Sequence, residues 1–256
     1  LKAALKSLRW SSSETAEQLR RIADACEIAG IQDRLPSQIS GGQAQRVALA
    51  KALVRNPRLL LLDEPLSQLD SRLREQLVQL ILAQANRQHL TLCWVAHDPW
   101  EAFRVATRIA VMDRGHIVQV DSPHNIYRFP RNRMVADSIS QWAINWLPLD
   151  CSEFDCLNQL KPRTGLIAGI RPEDWEVLLE DSPALPCPVN QLLPMFSVKI
   201  EEVCFAGSSS LARCKLGTLD ILVQDRRSVL RQGCTVRLTV PIDKLIWTDP
   251  TGDSDV

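Results

Sequence analysis

Leu59-Leu60-Leu61-Leu62-Asp63-Glu64-Pro65 is an unbroken apolar run that stops abruptly at two carboxylates and a proline. So short a run, bounded by polar residues, reads as a strand covered on both faces, as strands of a parallel sheet are. Asp63 and Glu64 then stand at its carboxyl end. Downstream, Asp70 is a helix N-cap ahead of a stripe at Leu73, Leu77, Leu80 and Ile81, and Thr91 to Ala96 forms a second buried strand that delivers His97. Strand, helix, strand implies a right-handed crossover and parallel strands. The acids and the imidazole therefore leave the sheet on one edge, where open α/β folds bind ligands.

Upstream, residues 14 to 30 carry Leu19, Ile22, Ala23, Cys26 and Ala29 at helical spacing, with Gly30 as the stop. After Leu35-Pro36 a second helix runs over 43 to 55. Ser40-Gly41-Gly42-Gln43 opens it, and Asn56-Pro57 ends it by removing a backbone donor. Two residues without side-chain bulk at a helix start leave free N–H groups and the dipole to meet an anion such as phosphate, although a plain glycine loop reads the same way. Asp63 is suited to hold Mg²⁺ through oxygen and Glu64 to orient and deprotonate a water. His97 is suited to donate a hydrogen bond to a γ-phosphate oxygen. Taken singly, these are also an acidic turn and a capping histidine; their shared register sets them apart from His89, His116 and His124, which read as packing residues.

The 256 residues are 45% hydrophobic and 23% charged, enough for one large or two modest domains. Lys plus Arg equals Asp plus Glu at 30 each, so no strong field draws the chain to nucleic acid or an anionic membrane. Its apolar runs fall far short of the roughly 20 residues a bilayer requires, and no cleavable signal opens it, so the chain reads as soluble and cytosolic. Eight cysteines without a Cys-x-x-Cys pair read as reduced, mostly buried thiols. Ile109–Met112 and Ile117–Val120 flank Asp113-Arg114-Gly115 as a hairpin closing the first domain. From about residue 141 the texture changes: prolines crowd 148 to 194, and short strand-like segments follow at 197–205, 210–216, 219–224, 235–240 and 244–247. These predict a second, all-β domain built as a small barrel.

The order Ser40-Gly41-Gly42-Gln43, Asp63-Glu64, Ser67-Gln68-Leu69-Asp70, then His97-Asp98 resembles the ABC transporter ATPase family over roughly residues 1 to 140. The resemblance implies Asp63 as the Mg²⁺-associated aspartate, Glu64 as the catalytic base, Asp70 as the aspartate of a dimer-contact loop and His97 as the switch histidine. It implies that Ser40, Gly41, Gly42 and Gln43 contact the γ-phosphate of ATP held by the opposite subunit. Asp121-Ser122-Pro123, Ile126-Tyr127-Arg128-Phe129-Pro130, Ala143 to Pro148 and Gly169-Ile170-Arg171-Pro172-Glu173-Asp174 are similar to importer ATPases of the maltose, glycerol-phosphate, iron and polyamine type. Those carry a C-terminal OB-like domain of the TOBE kind.

The implied fold is α/β: part of a P-loop NTPase parallel sheet with a remnant of the helical subdomain over 1–140, then a small all-β OB-like barrel over 141–256. Arg171 and Glu173 also read as a surface ion pair holding a turn. The implied function is MgATP hydrolysis at a dimer interface, coupled to solute uptake. The implied partners are a second ATPase subunit and a transmembrane permease, with the chain peripheral on the inner face of the cell membrane and no nucleic acid bound.

The chain departs from the family in three ways. Ile39 replaces a leucine, a volume-conserving change, and Pro99-Trp100 follows His97-Asp98 where polar residues are usual. No Gly-x-x-x-x-Gly-Lys-Ser/Thr stretch occurs in the 256 residues. With Leu1 opening what reads as mid-helix, this predicts an N-terminally truncated member that alone holds ATP weakly. The rival expectation is a non-catalytic interaction or regulatory protein that pairs with an intact ATPase and lends its signature face. A DNA-repair ATPase of the same superfamily is disfavoured by the absence of long heptads.

Overall fold

The computed structural model describes residues 12–31, 33–55, 57–67, 69–148, 157, 160, 165–178 and 195–249. Asn56, Gln68, Cys151, Cys156, Cys187 and most of the proline-rich stretch lie outside the described residues. The chain divides into two compact units, residues 1–105 and 106–256, whereas composition places the change of texture near 141.

The first unit contains α1 (Ser12–Ala25), α2 (Gly41–Leu53), β1 (Leu59–Asp63), α3 (Ser71–Gln88), β2 (Thr91–Val95) and α4 (Pro99–Val105). α1 ends earlier than Gly30. Glu27 adopts a left-handed φ of 51°, Ile28 N–H donates to the Ala23 carbonyl at 2.9 Å and Glu27 N–H to that of Asp24 at 3.0 Å. This is a Schellman closure with glutamate in the place glycine usually takes. Ile28, 1% exposed, is driven into the core by that reversal, and burying such a side chain contributes about 1.5–3 kcal/mol against the cost of a left-handed glutamate.

β1 and β2 are parallel and in register from Leu59 opposite Thr91 to Asp63 opposite Val95. Leu60 and Leu62 are buried in the same apolar core as Leu49, Leu53, Leu66, Leu77 and Ile81. The expectation of a strand covered on both faces is corrected: Leu59 and Leu61 are 54% and 69% exposed, and Val95 is exposed beside them. Among the described residues β1 and β2 pair only with each other, and the helices bury one face of the ribbon.

In the second unit, β3 (Ile109–Asp113) and β4 (His116–Asp121) form the expected hairpin. Its two-residue turn, Arg114-Gly115, has both φ values positive, the geometry that matches strand twist. α5 (Pro123–Arg128) and α6 (Arg133–Ile139) follow, each capped by a side chain, Ser122 and Asn132. Then come β5 (Asn145–Leu147), β6 (Ile167–Ile170), β7 (Glu176–Leu178), β8 (Phe196–Phe205), β9 (Ser210–Leu216), β10 (Leu219–Asp225), β11 (Thr235–Thr239) and β12 (Ile246–Thr248).

The strands make an antiparallel five-stranded sheet, β10-β9-β8-β11-β7, and a three-stranded sheet, β12-β6-β5, sharing a core of Ile170, Val198, Ile200, Ala212, Val223 and Leu238. Asn145 ties the two sheets. Its side chain accepts from Leu222 N–H at 2.7 Å and donates to the carbonyls of Leu222 at 2.8 Å and Ile170 at 3.1 Å.

Arg171 corrects another expectation, because it is buried rather than part of a surface pair with Glu173. Its guanidinium lies 3.8 Å from the centre of the Tyr127 ring, donates to the Tyr127 carbonyl and stands 4.0 Å from Asp174. Glu173 instead accepts from the Tyr127 hydroxyl at 2.6 Å. The thiols differ from expectation too: among the described residues Cys26 and Cys214 are buried, but Cys93, Cys204 and Cys234 are exposed, and all five are free. No helix among the described residues is long and apolar enough to cross a membrane.

Candidate functional site

α2 begins where the sequence places a helix start, and the reason is local. Ser40 sits in extended backbone, its Oγ accepts from Gln43 N–H at 3.3 Å, and Gln43 Oε1 accepts from Ser40 N–H at 3.0 Å. This reciprocal box uses only the acceptor atoms of the two side chains. The Ser40 hydroxyl proton and the Gln43 amide protons stay available as donors, as do the N–H groups of Gly41 and Gly42, which have no acceptor within the helix. The helix start is therefore a cluster of donors at the positive end of a dipole.

At the carboxyl end of β1 the ladder continues one residue further, because Glu64 N–H donates to the Val95 carbonyl at 3.1 Å. Glu64 then turns left-handed, φ 45°, a conformation that a non-glycine residue holds only where its surroundings impose it. Its carbonyl is held by Ser67 N–H at 3.3 Å, Ser67 Oγ at 3.2 Å and Gln45 Nε2 at 2.9 Å. Its carboxylate meets His97, with Oε1 and Nε2 2.5 Å apart. The His97 side chain is 77% exposed and that of Glu64 35%. A pair so open to water adds little to stability, and both groups are within reach of a ligand.

His97 is placed by what brackets it. On the strand side, Trp94 Nε1 donates to Glu101 Oε1 at 2.7 Å, tying β2 to α4. On the helix side, Asp98 caps α4 through its carboxylate to Trp100 N–H at 2.9 Å and its carbonyl to Glu101 and Ala102.

Asp63 ends β1 in exposed position, on the same side of the strand as Leu59 and Leu61. No cluster of three or more His, Cys, Asp or Glu side chains fit for a metal occurs among the described residues. Mg²⁺ asks for less, since it keeps several waters and takes one or two carboxylates together with phosphate oxygens. Asp63 fits that donor set. Asp70 is the α3 cap, accepting from Leu73 N–H at 3.0 Å. That backbone donor, ahead of smaller contributions, lowers its carboxyl pKa.

Of the residues read from sequence, the structure joins Glu64 and His97, leaves Asp63 beside them, and places Ser40 to Gln43 at the head of α2. Gln45 and the backbone role of Ser67 were not legible as contacts. The one available signal for Gln45 is its spacing, a helical turn beyond Gly41 on the same face.

A family model described as ABC transporter matches residues 3–67. The chain is 43% identical over 137 residues to a spermidine/putrescine import ATP-binding protein of Chromobacterium violaceum, covering 54% of this chain and 38% of the relative. It is 38% identical over 210 residues to a sulfate/thiosulfate import ATP-binding protein of the same organism, 78% of this chain and 55% of the relative. It is 34% identical over 209 residues to an Fe(3+) ions import ATP-binding protein of Escherichia coli O157:H7, 77% of this chain and 60% of the relative. The chain thus spans about half the length of the curated relatives it matches.

Proposed function

We propose that this chain is part of the ATP-binding and ATP-hydrolysing subunit of an ABC importer, residues 1–140 belonging to the ATPase domain and 141–256 to an OB-like domain of the TOBE kind. The observation that carries this reading is the Glu64–His97 pair at the carboxyl ends of two adjacent parallel strands. Relatives named for polyamine, sulfate and iron import support it.

When bound, MgATP supplies the scissile phosphoanhydride and the metal's charge neutralisation. Asp63 offers the metal a carboxylate oxygen. Glu64 orients a water and accepts its proton at the carboxylate. The Nε2–H that His97 gives to Glu64 is the donor it would give to a γ-phosphate oxygen, so engaging the phosphate frees the carboxylate for the water. Ser40 to Gln43 present their donors to the nucleotide of a second ATPase subunit. Two such subunits on the inner face of the membrane would drive a permease.

The 256 residues hold no Gly-x-x-x-x-Gly-Lys-Ser/Thr stretch, so on this proposal the cradle for the β- and γ-phosphates comes from outside these residues. The test is a chimera supplying such a loop ahead of residue 1, assayed for MgATP turnover with Glu64→Gln and His97→Ala. Turnover that falls at least about 100-fold in both variants supports the reading. A chimera that binds MgATP without hydrolysing it, or one indifferent to Glu64→Gln, refutes it.

A further inference from the structure

The geometry points to Gln45 as a positioning residue that makes α2 the support of the Glu64 carboxylate. Glu64 is held left-handed at φ 45°, and the side chain's direction toward His97 depends on that backbone. Ser67 steadies the Glu64 carbonyl from within the same turn. Gln45 is the contact to that carbonyl from outside the turn, reaching across 19 positions of sequence with Nε2 at 2.9 Å. An amide nitrogen is required there, because the partner is an acceptor. Gln45 Oε1 is buried with no partner among the described residues, so the side chain's polar engagement is this single donation.

The consequence joins two parts of the site. Gly41 and Gln45 lie one turn apart on one face of α2, so the helix whose head carries the Ser40–Gln43 donors also carries the hold on Glu64. On the proposed function, those donors meet a nucleotide belonging to the neighbouring subunit. A shift of α2 caused by that nucleotide is passed through Gln45 to this subunit's own carboxylate. Gln45 then couples the two composite sites, and the inference rests on that reading for its second half.

The test needs no nucleotide. In the full 256-residue chain, the His97 ring resonances are followed by NMR at neutral pH in the wild type, in Glu64→Ala as the reference for an unpaired ring, and in two variants. Gln45→Met is close in size and lacks a donor; Gln45→Glu is isosteric and sets a carboxylate oxygen against the carbonyl. Both should move the His97 resonances to the Glu64→Ala position while the amide spectrum elsewhere stays dispersed. Gln79→Met, on the exposed side of α3, should leave them unmoved.

A wild-type His97 signal in either Gln45 variant overturns the inference. If Gln45→Met fails to fold, Gln45→Glu decides, and global loss of dispersion in both overturns a local positioning role. A phosphate-loop chimera without turnover would sink the ATPase reading and leave this result standing. Unmoved His97 signals would sink the coupling and leave the ATPase reading intact.

Discussion

Replacing Arg171 by Met tests a fully buried cation in the second unit. Arg171 is 3% exposed, and desolvation by burial is the main influence lowering its pKa, opposed by Tyr127, Asp174 and Glu173. Met keeps much of the volume and removes three interactions. The contact with the Tyr127 ring at 3.8 Å is worth up to about 2 kcal/mol when desolvated. The charge-assisted hydrogen bond to the Tyr127 carbonyl is worth about 1.5–3 kcal/mol. The attraction to Asp174, 4.0 Å away, is partly retained by Lys244 at 3.7 Å. The terms share one geometry and do not add, and relief of guanidinium desolvation offsets part of them. The net expectation is a loss of about 2–4 kcal/mol, or a fall in Tm of roughly 5–15 °C for a unit of this size.

Urea unfolding followed by tryptophan fluorescence reads the change, since Trp175 is buried against Phe196 in the same core. Arg171→Lys should recover little, because an ammonium neither stacks on the ring nor forks toward two acceptors. Arg171→Met within about 0.5 kcal/mol of wild type, or Arg171→Lys equal to wild type, would refute the assignment of a buried clamp.

Asn145→Leu should cost about 1–3 kcal/mol by orphaning the Leu222 N–H and two carbonyls between the sheets; an unchanged urea midpoint would show that the sheets do not depend on it. Asp174 has its pKa raised above the ordinary 3.8, burial outweighing Lys244 and Arg171. A raised folded value means its contribution is complete below the unfolded value and is lost as pH rises through the folded one. The stability of Asp174→Asn relative to wild type should therefore climb as pH rises above about 4, and a flat difference curve would contradict this. Burial pushes the Cys26 thiol up to about 12 despite Arg46. Native-state thiol labelling read by peptide mass should modify exposed Cys93 and spare Cys26, and equal rates at the two would overturn that placement.

The elements most legible in sequence were those fixed by local chemistry. Asp70 caps α3 because a carboxylate before an apolar stripe has a backbone donor waiting three residues on. Arg114-Gly115 closes the hairpin because a two-residue turn needs positive φ. Glu64 and His97 meet because two parallel strands in register end level, Asp63 opposite Val95, so the residues one and two places beyond them emerge on one edge. Four leucines in a row have no period, however, so they cannot say that Leu59 and Leu61 face outward. Glu27 in place of Gly30 at the end of α1 is set by the pull of Ile28 into the core. Gln45 on the Glu64 carbonyl and Arg171 on the Tyr127 ring are long-range contacts, and spacing along the chain carries no record of them.

The bare side of the β1–β2 ribbon has a practical consequence for anyone handling this chain. Leu59, Leu61 and Val95 make a greasy surface on the folded molecule, so an environment-sensitive dye should glow before any heating, and thermal-shift traces would start high. The same surface favours self-adhesion at high concentration, and recovery from refolding should improve on dilution or with a trace of mild detergent more than with added salt.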